Sequence, residues 1–70
     1  MIKYYKLWDL LHRREIRVVD LANQTKTSQA TFAKMRKGLN INTDVLNKIC
    51  AALNVQPSDI MEFIPDKTED

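Results

Sequence analysis

Apolar residues recur at helical spacing near the start of the chain. The members of this first stripe repeat at i, i+3, i+4 and i+7 and are Tyr4, Leu7, Trp8 and Leu11. This spacing predicts a first helix over residues 4–13, whose apolar face Tyr5 and Leu10 widen. Because the aromatic rings share that face with leucines, we expect them in the core, and Ile16 should join them from the following connection.

A second helix is predicted to begin near Val18, and its apolar positions continue through Leu21 and Ala22. The helix should end within Asn23–Thr25, because these side chains compete for helical hydrogen bonds. Lys26-Thr27 then forms a tight turn.

The third predicted helix, over residues 29–37, has two different faces. Ser28 is a suitable N-cap, and Gly38 suits the left-handed position just past the end. Phe32 and Met35 mark the face that we expect against the core. The polar side chains of the same segment are Gln29, Thr31, Lys34, Arg36 and Lys37. Amide, hydroxyl and ammonium groups turned outward have the chemistry that reads DNA bases and binds phosphates.

A fourth helix is predicted to be capped by Asn42 or Thr43 and to end at Asn54, which can adopt the left-handed conformation. Its apolar stripe consists of Val45, Leu46, Ile49, Cys50 and Leu53. Because this stripe is wide, we expect the fourth helix to form the centre of the core.

Pro57 is predicted to open a fifth helix, since proline suits the first helical position. The apolar residues that follow are Ile60, Met61, Phe63 and Ile64, and Pro65 ends the segment. At the other end of the chain, Met1–Lys3 has a β-branched residue and no helix cap. We therefore predict that it pairs with Glu62–Ile64 as a short antiparallel ribbon that covers Ile2 and Ile64.

The predicted fold is all-α, a compact bundle of about five helices with a helix-turn-helix and a short two-stranded β-ribbon at the termini. The 70 residues make one domain, for which we expect residues 1–66, followed by a frayed acidic tail over residues 67–70.

The composition offers little chemistry for catalysis. Cys50 is the only cysteine, so no internal disulfide is possible, and we expect it to be a small buried hydrophobic residue. His12 is the only histidine and Gly38 the only glycine, which leaves no metal-ligand cluster and no glycine-rich phosphate loop. We expect no catalytic residues, no metal, no cofactor and no small-molecule substrate, so the chain is not predicted to be an enzyme.

Charge is distributed unevenly although the net charge is only +2. Residues 1–38 carry nine Lys and Arg against three Asp and Glu, whereas residues 39–70 carry two against six. A basic half suggests a polyanionic partner, and a mixed solvated surface is the alternative interpretation. No apolar run approaches the roughly 20 residues of a membrane span, and no signal-peptide cleavage site is visible, so we expect a cytoplasmic protein with no membrane partner.

Residues 21–63 resemble the Cro/C1-type, XRE-like helix-turn-helix transcriptional regulators, in particular their small single-domain subgroup. The segments that carry the resemblance are Asp20–Ala22, Ser28–Gly38, Leu46–Val55 and Ser58–Ile60. The resemblance implies a sequence-specific regulator that binds the major groove of double-stranded DNA as a homodimer on a short palindromic operator. Repression by occluding a promoter is the simplest mechanism, with activation as the alternative.

The resemblance also implies individual contacts. Gln29, Ala30 and Lys34 would lie over base edges, where Gln bonds adenine, Ala touches a thymine methyl group and Lys reaches guanine acceptors. At the start of the third helix, Thr27, Ser28 and Thr31 would reach phosphates or bases. The residues expected to bind the DNA backbone are Arg36, Lys37, Asn40 and Thr43, the last through its main-chain amide.

Three residues depart from the family pattern. Val18 stands where glutamine is common, Lys26 where the turn has glycine, and Thr27 where an apolar residue is usual. These departures keep open a second hypothesis, a protein-interaction module on the same scaffold, such as an antitoxin-like or regulatory partner. RNA binding is disfavoured, because no aromatic residue lies on the expected recognition face.

Overall fold

In the computed structural model, which describes residues 1–65, four α-helices lie between two short strands. The elements are β1 (Ile2–Lys3), α1 (Tyr5–Arg13), α2 (Val18–Thr25), α3 (Gln29–Arg36), α4 (Thr43–Leu53), a 3-10 turn (Pro57–Asp59) and β2 (Glu62–Phe63). The first four predicted helices are thereby confirmed to within a residue or two. Residue 66 and the predicted acidic tail over residues 67–70 lie outside the described residues. No helix of the described part is long and apolar enough to cross a membrane.

The ends of the helices follow from local side chains. Ser28 Oγ accepts a hydrogen bond from the Thr31 amide at 3.3 Å, and Asn42 Oδ1 accepts one from the Asp44 amide at 2.8 Å. The cap of α4 is therefore Asn42 rather than Thr43. Gly38, just past α3, and Asn54, at the end of α4, have φ values of 75° and 58°, as expected for left-handed helix exits.

The predicted fifth helix is wrong. A single 3-10 turn over Pro57–Asp59 replaces it, closed where the Gln56 amide donates to Asp59 Oδ2 at 2.9 Å. After the turn, Glu62–Phe63 is extended and pairs with β1. Pairing with β1 satisfies the main-chain groups that a longer helix would have bonded internally. The extended conformation of Glu62–Phe63 therefore depends on β1.

The terminal ribbon is confirmed as an antiparallel pair. Ile2 lies opposite Phe63 and Lys3 opposite Glu62. The Met1 amino group donates to the Ile64 carbonyl at 2.9 Å, and the Ile64 amide donates to the Met1 carbonyl at 2.8 Å. The expectation that the ribbon covers Ile2 is wrong, because Ile2 is 37% exposed, whereas Ile64 is half-buried.

The core draws on every helix. Its buried members are Tyr4, Leu7, Leu11, Leu21, Ala22, Phe32, Met35, Ile49, Leu53 and Ile60. Tyr5 was expected on the apolar face of α1 but is 57% exposed. Cys50 is half-buried rather than buried, and partial burial together with the charge of Asp59 raises the pKa of its thiol. The thiol therefore stays protonated at neutral pH.

Basic side chains of the N-terminal segment tie it to the C-terminal half. Arg14 Nη1 donates to the Leu53 carbonyl at 2.8 Å, which satisfies one of the last carbonyls of α4. Lys6 Nζ donates to the Ser58 carbonyl at 3.1 Å. These bonds tie α1 and the residue after it to the end of α4 and to the 3-10 turn.

Candidate nucleic-acid interface

The turn between α2 and α3 is held by hydrogen bonds of its own residues. Thr25 is 6% exposed, and its hydroxyl donates to the Leu21 carbonyl at 2.8 Å. The hydroxyl oxygens of Thr25 and Thr27 lie 3.0 Å apart, and the Thr27 amide donates to the Ala22 carbonyl at 2.9 Å. Lys26 adopts the left-handed conformation, with φ 56° and ψ 40°. The chain thus forms the tight turn with a lysine at the left-handed position.

The orientation of α3 is fixed by its two core residues. Phe32 and Met35 are each 1% exposed. At about 100° of rotation per residue, the face opposite them is centred on Ala30 and Lys37, with Lys34 beside them. All three are exposed, so this face carries two ammonium groups around a small apolar residue.

Gln29 and Ala33 complete the outward face of α3. Gln29 is the first residue of α3 and lies at one edge, about 140° around the axis from Lys34. The two side chains therefore diverge across the face. Ala33 is exposed between Gln29 and Lys37, and the sequence interpretation missed it because alanine has no polar chemistry to draw attention.

Hydroxyl groups cluster at the N-terminal end of α3. Ser28 Oγ and Thr31 Oγ1 lie 3.1 Å apart, and either can donate to the other. Ser28 is exposed and Thr31 half-buried, so both can still meet a further partner. Thr27 is also half-buried, and its hydroxyl is engaged within the turn.

The loop after α3 brings a second polar group to the same side. A shallow recess is lined by Thr31, Lys34 and Asn40 together with the cap of α4, Asn42. Thr43, the first residue of α4, follows directly and is exposed. Asn40 and the start of α4 therefore flank the edge of α3 that carries Lys34.

Arg36 lies apart from the other cations of α3. Its guanidinium carbon is 4.4 Å from the centre of the Trp8 ring, on α1. Within residues 1–65, Lys34, Arg36 and Lys37 form no ion pair, whereas Asp20 is paired with Arg17 and Asp44 with Lys48. The surface around α3 is consequently positive.

A further cation, Lys3, lies beside the end of α3. A Cβ atom on Gly38 would come within 2.8 Å of Met1 Cε and 3.6 Å of Lys3 Nζ. The side chains of Met1 and Lys3 thus reach Gly38, which places the Lys3 ammonium group just past the end of α3. The sequence interpretation missed Lys3, since only the folded ribbon brings it near residue 38.

The described residues contain no group of three or more His, Cys, Asp or Glu side chains that could hold a metal ion.

A model of the Cro/C1-type HTH DNA-binding domain matches residues 6–66. The crystal structure of the transcriptional regulator VanUg (Form II) is similar to this chain, with a TM-score of 0.86 and 38% sequence identity. That similarity covers 93% of this chain and 87% of VanUg. No curated protein sequence matches the chain.

Proposed function

The chain belongs to the Cro/C1-type HTH DNA-binding domain family, and we propose that it is a sequence-specific transcriptional repressor that binds a short palindromic operator as a homodimer. The observation that carries this proposal is the outward face of α3, on which Lys34 and Lys37 are exposed without an ion pair in the described part of the chain. Its proposed site of action is the cytoplasm, and occlusion of a promoter is the proposed mechanism.

In the proposed complex, α3 lies in the major groove. Gln29 and Lys34, at the two edges of its outward face, would reach different base pairs, the first bonding adenine and the second guanine acceptors. Ala30, between them, is small enough to allow close approach and can touch a thymine methyl group.

Contacts to the DNA backbone would surround this face. Ser28, Thr31 and Thr27 at the start of α3 are proposed to contact phosphates or bases, with Thr27 limited by its bonds within the turn. Lys37, Asn40 and the amide of Thr43 are proposed phosphate contacts, together with Lys3 beside the end of α3. Arg36, also expected to bind phosphate, lies instead against the Trp8 ring.

Exposed apolar side chains support the proposed homodimer. Phe63 is 66% exposed and Leu39 52% exposed, and Met61, Ile41 and Val55 are half-buried. We propose that a second copy covers Met61, Phe63 and Val55, with Ile41 contributing from the loop after α3. Two-fold symmetry then matches a palindromic operator. Sedimentation with and without operator should show a dimer at micromolar concentrations, and Phe63→Asp should shift it toward monomer.

The test of base reading compares variants on an operator selected from random duplexes. Gln29→Ala and Lys34→Ala should each weaken operator binding by about 1–3 kcal/mol and relax the preference at particular base pairs. Lys37→Ala should instead weaken binding to all duplexes alike and reduce the slope of log K against log salt by about 0.9. Thermal melts of each variant show whether the fold is intact.

One result would overturn this assignment. If Gln29→Ala and Lys34→Ala melt like the parent protein and leave operator affinity and base preference unchanged, α3 does not read bases. The protein-interaction module would then become the better hypothesis, and absence of any salt-dependent binding to duplex DNA would point the same way.

A further inference from the structure

Arg36 has an aromatic partner rather than an acidic one. Its guanidinium carbon lies 4.4 Å from the centre of the Trp8 ring, within the range of a cation–π contact. Tryptophan is the strongest ring for such contacts, and the planar guanidinium group can stack on it in a way that an ammonium group cannot. Among residues 1–65, the Trp8 ring is the partner of the Arg36 guanidinium group.

The position of Arg36 around α3 separates it from the outward face. It lies about 40° from the buried Phe32 and about 160° from Lys34. The side chain therefore points toward α1, and it would have to leave the Trp8 ring to reach a phosphate near Lys34.

The contact joins two helices whose backbones make few close approaches to each other. The backbone of α3 approaches that of α2 closely, whereas its backbone contacts with α1 are sparse. α3 has only eight residues, of which Phe32 and Met35 are buried. A side-chain contact near its C-terminal end can therefore change how the helix is oriented on the domain.

We propose that Arg36 is a positioning residue that, by stacking on Trp8, sets the orientation of α3 and hence the placement of Lys34 and Lys37 in the groove. This inference rests on the proposed DNA-binding function. It replaces the phosphate contact expected for Arg36 from the sequence. Arg36 acts on operator preference through the ring of Trp8, and the nonspecific attraction to DNA depends chiefly on the other cations.

A double-mutant cycle on the full chain tests the proposal, using Arg36→Gln, Trp8→Leu and the double variant. Affinities are measured for the selected operator and for a random duplex across a salt series. Lys37→Gln is the matched control, since it removes a neighbouring cation of the same segment that has no aromatic partner in residues 1–65. If Trp8→Leu does not fold, Trp8→Phe replaces it in the cycle and retains a weaker ring.

Arg36→Gln is expected to lower operator affinity about two- to five-fold, the factor that corresponds to an exposed cation–π contact. The random-duplex affinity and its salt slope should stay close to those of the parent. The loss should largely disappear in the Trp8→Leu background, because the ring is already gone. Lys37→Gln should instead reduce the salt slope by about 0.9 on both duplexes.

Fluorescence supplies an independent readout, because Trp8 is the only tryptophan. Arg36→Gln should change the Trp8 emission of the free protein, and Lys37→Gln should leave it unchanged. The inference is overturned if Arg36→Gln reduces the salt slope on both duplexes as Lys37→Gln does, with effects additive to those of Trp8→Leu. In that case DNA binding itself still stands, whereas a parent protein that binds no duplex at all would end both proposals.

Discussion

Replacing Lys26 with glycine should stabilise the fold. Lys26 adopts the left-handed conformation, with φ 56° and ψ 40°, at the end of α2. Its side chain is exposed and makes no hydrogen bond or ion pair within residues 1–65, so the substitution removes no contact of that kind. A side chain in this conformation costs about 1–2 kcal/mol through the close approach of its Cβ atom to the carbonyl oxygen.

The stabilisation expected from the substitution is partly offset by an effect on the unfolded state. Glycine loses more backbone freedom on folding than other residues, by about 0.5–1 kcal/mol. The net stabilisation expected for Lys26→Gly is therefore about 0.5–1 kcal/mol. For a domain of this size, thermal denaturation should show a melting temperature raised by about 2–8 °C.

Two variants control for charge and for glycine itself. Lys26→Ala removes the same charge but keeps a Cβ atom, so it should not reproduce the gain. Lys37→Gly introduces glycine at a right-handed position, φ −88° and ψ −2°, and should destabilise the domain by about 0.5–1 kcal/mol. If Lys26→Gly melts at or below the parent temperature, as Lys37→Gly does, the turn does not store the strain argued from its dihedral angles.

Three other substitutions test the packing and electrostatics of the fold. Phe32→Ala should reduce the free energy of unfolding by about 3–5 kcal/mol in urea titrations, because it leaves a cavity at a fully buried position. Arg14→Gln should lower the free energy of unfolding by about 1 kcal/mol, because it removes the hydrogen bond to the Leu53 carbonyl. Arg13→Gln breaks only an exposed ion pair with Asp9 and should lower it by about 0.3–0.5 kcal/mol. Equal effects of the two variants would contradict the stabilising role of the Arg14 bond. Burial raises the pKa of the Tyr4 phenol above 10.0, so stability present below pH 10 should decline as the pH rises through the raised pKa, and Tyr4→Phe should reduce that decline in a pH series of urea midpoints.

The helices were predictable from sequence because their ends depend on neighbouring residues. Ser28, Gly38 and Asn54 each act within a few positions of the helix that they begin or end. The ribbon was predictable for a different reason, because β-branched and apolar residues without a helix cap stand near both ends of the chain, and β1 and β2 pair as expected. The fifth helix was wrong because only Pro57–Asp59 keeps a helical conformation, as a 3-10 turn before β2 begins at Glu62.

The candidate interface was predictable to the extent that helical periodicity determines it. The inward position of Phe32 and Met35 places Lys34 and Lys37 outward, as the structure confirms. The stacking of Arg36 on Trp8 could not be predicted, because α1 and α3 are far apart in sequence and their contact depends on how both pack on the core.

The terminal ribbon joins residues 63 positions apart. Closing so long a loop loses chain entropy that the four helices, with their local hydrogen bonds, do not have to lose. The ribbon should therefore form after the helical core and open before it. In hydrogen exchange, the Ile64 amide should be protected far less than the amide of Ile49 at the centre of α4. Separation of β1 from β2 is therefore expected as a reversible local unfolding step. In this step the two strands lose their hydrogen bonds while the helical core keeps its structure.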